Sequence, residues 1–399
     1  MSNRKFSALF DKGQKWERFQ PLYEAVDSFV FTPGLVTKSA PHVRDCIDFK
    51  RMMIIVVAAL IPPTLMALYN TGLQANLALH AHAALRVTGW RGDLLNLAGI
   101  GNDPNSILDN VLLGSLYFLP LYIVSMAVGG LWEMLFAVVR RHSISESFLV
   151  TGLLFPLILP PDTPLWQAAL GISFGVVIGK EIYGGVGMNV LNPALVARCF
   201  LFFSYPKEMS GDAVWVPVDG YTQATPLAEL SDPELHLTVS WHDAFFGFIP
   251  GSLGETSTLA CLIGALILIV TQIGSWRIMI SVVFGMVSLS LLFNLIGSQT
   301  NLMFQVDPLW HLVLGGFAFG TVYMATDPVT SAHTLSGQYI YGFLIGVMTV
   351  LIRVINPGFT EGMMLAILFG NIFAPTIDRF FLDRNINRRR RRQAVNAEL

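Results

Sequence analysis

The chain has 399 residues, 53% of them hydrophobic and only 13% charged, about half the charged share of an ordinary soluble domain. A net charge of −2 gives no basis for nucleic-acid binding. Three cysteines (Cys46, Cys199 and Cys261), far apart in sequence, make no disulfide framework and cannot alone supply four ligands to zinc or an iron–sulfur cluster. A soluble enzyme, a secreted module and a disordered scaffold are excluded on composition. What fits is an all-α polytopic membrane protein.

A helix crosses a bilayer core in about 20 apolar residues. The first predicted run is 52–68, with Pro62 and Pro63 inside it, and the second is 112–139, whose only charge is Glu133. Runs at 148–159 and 165–179 follow, and 191–205 is interrupted by Arg198. An aromatic stretch at 243–252 suits the membrane interface. Further runs are predicted at 257–273, 278–296, 309–326, 338–352 and 362–377. The total is about ten spans.

Basic residues crowd both ends, from Arg4 to Arg51 before the first run and at Arg379, Arg384 and 388–392 after the last. The positive-inside rule places both termini in the cytoplasm, which requires an even number of spans. The start lacks a signal-peptide pattern. The terminal arginines read as a topology signal or as a patch for anionic lipid. Residues 1–51 then form a basic N-terminal region, 52–205 a first membrane repeat and 206–256 an outer loop. Residues 257–378 form a second repeat and 379–399 an Arg-rich tail.

The duplication rests on two matches in the same order and with similar offsets. Pro164-Leu165-Trp166 with Leu170-Gly171 recurs as Pro308-Leu309-Trp310 with Leu314-Gly315. Upstream, Leu153-Leu154-Phe155 recurs as Leu291-Leu292-Phe293. Two halves of five spans each lie in opposite orientations, the inverted repeat of many secondary transporters, whose sites form where helices are broken near the midplane. The breaks here are Gly184-Gly185-x-Gly187-x-Asn189-x-x-Asn192-Pro193 and Thr326-Asp327-Pro328, with Asn356-Pro357 beyond.

Ionisable groups among apolar residues each need a reason. Glu133 is either an interfacial residue near Arg140 or a functional carboxylate. Gly129 and Gly130 beside it permit close helix packing or the approach of a flat ring. Lys180-Glu181 reads as an end-of-span ion pair, and Asp327 before a proline as a cap or a cation-linked carboxylate. Asp378, beside Arg379 after Ala374-Pro375, reads as a surface residue at a helix end. The eight histidines include no metal-binding pair, so no metal is expected. No nucleotide-binding loop occurs either. In the outer loop, Asp219-Gly220-Tyr221-Thr222-Gln223-Ala224-Thr225-Pro226 reads locally as a turn followed by a helix cap at Thr225.

At this motif the sequence resembles the B subunits of sodium-translocating NADH:quinone oxidoreductases and, more distantly, the D subunits of ferredoxin-linked electron-transport complexes. Supporting segments are Thr32-Pro33-Gly34, His42-Val43-Arg44-Asp45, Leu191-Asn192-Pro193-Ala194, Met324-Ala325-Thr326-Asp327-Pro328 and Glu361-Gly362-Met363-Met364. The long basic N-terminal region favours the sodium-pump family. In that family a periplasmic flavin transferase joins FMN through its phosphate to the last threonine of an Asp-Gly-x-Ser/Thr-Gly-Ala-Thr segment. The resemblance therefore implies a phosphodiester-linked FMN at Thr225, with Asp219, Gly220, Thr222 and Ala224 as its motif. Gln223 stands where glycine is usual. An exposed loop cannot enclose a flavin, so a covalent bond replaces a pocket, and its phosphate stays in water.

The resemblance further implies a bacterial inner-membrane pump that passes electrons from NADH through flavins and iron–sulfur centres of several subunits to ubiquinone while exporting Na+. Non-covalent riboflavin would sit near Asn189 and Asn192 and quinone near Gly129 and Gly130. Sodium would be handled by Glu133, Asp327 and Asp378. No residue of this chain is assigned a catalytic role. Without the flavin, the same composition suits a non-redox inverted-repeat transporter.

Overall fold

The computed structural model describes Gln20, Tyr23 and residues 49–82, 86–87, 89–99, 101–140, 147–210, 214–218, 221, 224–231, 237–298, 301–356 and 361–397. The rest of the basic segment 1–48 and the motif residues Asp219, Gly220, Thr222 and Gln223 lie outside the described residues.

The longer helices are α1 (Phe49–Ala59), α2 (Ile61–Ala81), α3 (Gly89–Ala98), α4 (Ile107–Arg140), α5 (Ser147–Leu157) and α6 (Leu165–Gly179). They continue as α7 (Pro193–Ser204), α8 (Thr258–Val270), α9 (Trp276–Ile296), α10 (Leu335–Ile355) and α11 (Met363–Ala397). No strand occurs among the described residues. Among the described residues, six helices are long and apolar enough to cross a membrane: Lys50–Ala81, Ile107–Arg140, Leu165–Tyr183, Trp276–Ile296, Leu335–Ile355 and Met363–Gln393. Helices α5, α7 and α8 are apolar but shorter. The protein is an all-α polytopic membrane protein.

Two features depart from the predicted runs. The last helix does not stop at 377 but continues to Ala397, so the arginines of the tail extend a membrane helix. The run at 309–326 is not one helix. It comprises Pro308–Val313, Phe317–Phe319 and a wider π-helical turn at Gly320–Met324. The interruption centres on Gly315, whose φ of +64° is left-handed and suits a residue without Cβ. Both copies of the repeated Pro-Leu-Trp open a helix, α6 in one half and Pro308–Val313 in the other.

Small residues let the helices approach closely. A Cβ on Gly114 of α4 would overlap the Leu68 carbonyl oxygen of α2, and one on Gly346 of α10 would overlap that of Val282 on α9. Phe155, Phe317, Phe319 and Tyr341 are fully buried at the centre. Leu65, Ile123, Leu131, Phe284 and Leu295 face outward, as a lipid-exposed surface requires.

The prolines of the first span are tolerated for a specific reason. Pro62 and Pro63 open α2, and Pro63 has no N–H to return to the carbonyl of Ala59. The Tyr323 hydroxyl donates to that carbonyl instead, at 2.8 Å. Gly264 makes room for this contact, because a Cβ there would overlap the tyrosine oxygen.

Candidate functional site

The two sequence breaks meet in space. Helix α6 ends at Lys180, and the chain turns through Gly184, Gly185 and Gly187, all with left-handed φ, before α7 begins. Asn192 caps α7: its Oδ1 accepts from the N–H groups of Ala194 (3.0 Å) and Leu195 (3.4 Å). Its Nδ2 donates across the bundle to Asp327 Oδ2 at 3.4 Å. Asp327 also accepts from the Thr330 hydroxyl (2.8 Å) and the Val329 N–H (3.2 Å). It therefore caps its own turn and reaches the opposite break. Asn192, Asp327 and Val329, with Lys180, Asn189, Tyr323 and Thr326, line a cavity of about 50 Å³. Asn189 donates to the Leu191 carbonyl at 3.1 Å.

Glu133 is buried within the bundle rather than exposed near Arg140. It is 5% exposed, and its carboxylate receives the ammonium of Lys180 in a buried ion pair. The predicted Lys180–Glu181 pair does not form, because α6 ends there and the turn sends the two side chains different ways. Arg140 takes Glu181 instead, with Nη1 3.8 Å from Oε2 and a hydrogen bond to the Glu181 carbonyl. Because Lys180 also lines the cavity, Glu133 is linked to the Asn192–Asp327 contact through its partner.

Gly129 is packed: a Cβ would lie 2.6 Å from the ring of Phe148 and 3.0 Å from Ile172. The flat ring accommodated at Gly129 is thus the protein's own. Gly130 is freer, with Phe148 at 3.6 Å. Asp378 is neither at a helix end nor on the surface. It lies within α11, is 9% exposed, and accepts from the N–H groups of His333 (2.7 Å) and Thr334 (2.9 Å) and from the Thr334 hydroxyl. Its carboxylate fastens the connection before α10.

Thr225 is where the local reading put it, one residue before Pro226–Ser231, with Oγ1 accepting from the Ala228 N–H at 3.2 Å. It is not exposed as predicted: only 7% of its surface is accessible. The described part of the loop is packed down rather than loose, since Trp215, Val216, Val218 and Leu227 are buried and Tyr117 donates to the Pro217 carbonyl.

A second polar cluster, not foreseen from the sequence, gathers at this end. Arg198 donates to Glu361 Oε2 at 2.6 Å and to the Ser252 hydroxyl at 3.1 Å. Arg353, the residue after the predicted run at 338–352, is wholly buried and donates to the carbonyls of His311 (3.0 Å) and Leu314 (2.9 Å). Glu255, in the connection before α8 and outside the spans, has its carboxyl pushed up to about 7 by burial, against the opposing pull of Arg198. The available signal was Arg198 inside an apolar run and Arg353 bordering one.

The chain matches the model of the NQR2, RnfD, RnfE family over residues 36–387. It belongs to that family. A relative from Chromohalobacter salexigens, 56% identical over 395 residues, covers 98% of this chain and 96% of its own length. One from Ectopseudomonas mendocina is 57% identical over 387 residues, with 95% of this chain and 96% of the relative covered. One from Stutzerimonas stutzeri is 56% identical over 386 residues, with the same coverage. Each of the three is named as the B subunit of a Na(+)-translocating NADH-quinone reductase.

Proposed function

We propose that this chain is the flavin-carrying membrane component of a redox-driven sodium pump, in which NADH oxidation and ubiquinone reduction by the assembled complex drive Na+ outward. The observation that carries this reading is the end-to-end similarity to proteins of that name. It is favoured over the D-type component of a ferredoxin-linked complex, since relatives named as B subunits of the sodium-translocating enzyme span nearly the whole chain. The non-redox transporter has no such support. The reading includes a bacterial inner membrane, both termini in the cytoplasm, about ten spans in inverted halves and an outward-facing Thr225.

The residues fit the two flavins unequally. At Thr225, the threonine oxygen accepts a hydrogen bond as a helix cap, a role an esterified oxygen retains. The adjoining cavity is only about 20 Å³. A linked FMN therefore lies outside it, and the segment must open for the transferase to reach the hydroxyl. An FMN held there supplies a carrier of one or two electrons, while this chain's residues fix where it is tethered.

The cavity at Asn189 and Asn192 does not fit riboflavin. Its volume of about 50 Å³ holds one or two waters, not a three-ring flavin, and both ends of the Asn192 amide are engaged within the protein. No role is derived for riboflavin there. The same oxygen-rich cavity suits a small cation, with Asp327 in one wall and Glu133 behind Lys180. A cation entering would compete with the Lys180 ammonium for negative charge. Gly130, the less filled of the glycine pair, is the better quinone contact.

The decisive experiment is fluorescence of the denatured chain on a gel after expression with the native flavin transferase. A flavin band that disappears in Thr225→Ala supports the assignment. A persistent band moves the attachment site, and no band in the wild type removes the redox role.

A further inference from the structure

A cluster of charged groups left unused by this reading, Arg198, Glu255, Arg353 and Glu361, lies at the Thr225 end. Helices α5 and α8 define that end: Ser147 and Leu268 line the Asn192–Asp327 cavity, whereas Leu157 packs on Gly254 and Thr256 stands just before Ser257, the cap of α8. Between the two ends, Met324 of the π-helical turn and Leu195 border a very small cavity together with Arg198, Glu255 and Glu361. Glu255 and Glu361 also line the cavity beside Thr225, so both carboxylates face two spaces.

The cavity beside Thr225 has the composition of a cation site. Its polar lining is Thr225, Ser252, Glu255, Thr256 and Glu361, and no basic residue borders it. All those side chains offer oxygen, the ligand type that hard cations take. At about 20 Å³ it holds a single water-sized occupant. Thr256 gives an independent sign of an occupant: it is 4% exposed, and its Oγ1 has no hydrogen-bond partner. A buried hydroxyl left so is destabilising unless something in the cavity meets it.

We propose that this cavity is a monovalent-cation site, separate from the Asn192–Asp327 cavity, at which sodium binds between Glu255 and Glu361 and is held by the Thr256 and Ser252 hydroxyls. Arg198 is the tethered competitor. It holds Glu361 directly and donates to the hydroxyl of Ser252, which lines the cavity beside Glu255. A sodium ion draws the carboxylates from the guanidinium toward the cavity, and its departure returns them. Gly316 gives the Glu255 carboxylate room where it now lies, since a Cβ there would stand 2.5 Å from Oε1. Arg353, tied to backbone carbonyls, supplies positive potential without entering the cavity. Among the described residues no group of three or more His, Cys, Asp or Glu gathers for a metal ion. The donor set thus suits a weakly held transported ion rather than a resident divalent metal.

The proposal rests on sodium transport in the reading above and not on flavin at Thr225. Its test is equilibrium binding of radiosodium to the intact purified complex, alongside sodium titration of quinone reduction. Thr256→Val keeps shape and charge while deleting the hydroxyl, and should weaken one class of sodium site about tenfold. Thr256→Ser should restore it, and Glu255→Gln should abolish that class. Unchanged sodium binding in assembled Thr256→Val overturns the site and leaves water as its occupant. Should Glu255→Gln fail to assemble, the Thr256 pair decides alone. Weakened binding in Asp327→Asn beside unchanged binding in Thr256→Val sinks this site but spares the pump. A wild-type complex with no sodium dependence sinks the pump reading itself.

Discussion

The two ends of the bundle are polar for different reasons. At the Asn192–Asp327 end, the polar groups come from helix breaks, where glycine and proline free backbone groups that side chains then cap. At the Thr225 end they come from Arg198, Ser252, Glu255, Arg353 and Glu361, each on a different stretch of chain. A break is a local event with local punctuation. A charge cluster exists only once helices pack, and the lesson is that the first kind of site is readable along the chain while the second is not.

The variant with most to say about this contrast is Thr225→Ala. Complete loss of covalent flavin is expected, against only about 1 kcal/mol from the lost cap. In-gel fluorescence and thermal stability measured on the same preparation separate the two effects.

Next in size is the buried pair at the other end. Lys180→Met leaves the Glu133 carboxylate buried without its ammonium and should cost about 3 kcal/mol or more. Adding Glu133→Gln should recover much of that loss. A double-mutant cycle on thermal unfolding of the complex reads the coupling, and strictly additive losses would mean the two residues act independently.

The glycine pair discriminates packing from quinone binding. Gly129→Ala drives a methyl into the Phe148 ring and should destabilise by about 1–3 kcal/mol. Gly130→Ala meets only an ordinary contact, so stability should hold. A raised quinone KM in Gly130→Ala with normal flavin content supports quinone there, and normal kinetics remove it. Asp327→Asn keeps an acceptor for the Val329 N–H but loses the charge, and a several-fold rise in the sodium concentration for half-maximal turnover is expected. An unchanged titration would leave Asp327 as a cap alone.

Much of the architecture was legible because apolar runs, glycine turns and capping residues act locally. Most predicted runs fall on helices, the broken run at 309–326 excepted, and Asn192 and Thr225 cap as their neighbours Pro193 and Pro226 suggest. The pairing of Asn192 with Asp327 was foreshadowed by the repeat, which placed both at breaks. Which cation meets which anion was not legible. Lys180 stands next to Glu181 in sequence but turns to Glu133, and Asp378 passes for a surface residue until the Thr334 connection folds onto it. Burial of Thr225 was missed because a polar loop gives no sign that Trp215, Val216 and Leu227 will anchor it.

The smallest predicted effect tests the joint between these local and tertiary levels. Tyr323→Phe removes the hydroxyl that answers the Ala59 carbonyl and should cost about 1 kcal/mol, the net value of one hydrogen bond. If the bond exists because Pro63 has no N–H, then Pro63→Ala supplies the missing donor within the helix. The same tyrosine change should then be nearly neutral on the Pro63→Ala background, as read by thermal unfolding of the two pairs of variants. Equal losses on both backgrounds would mean that Tyr323 matters through its ring packing, and that the freed carbonyl is met in some other way.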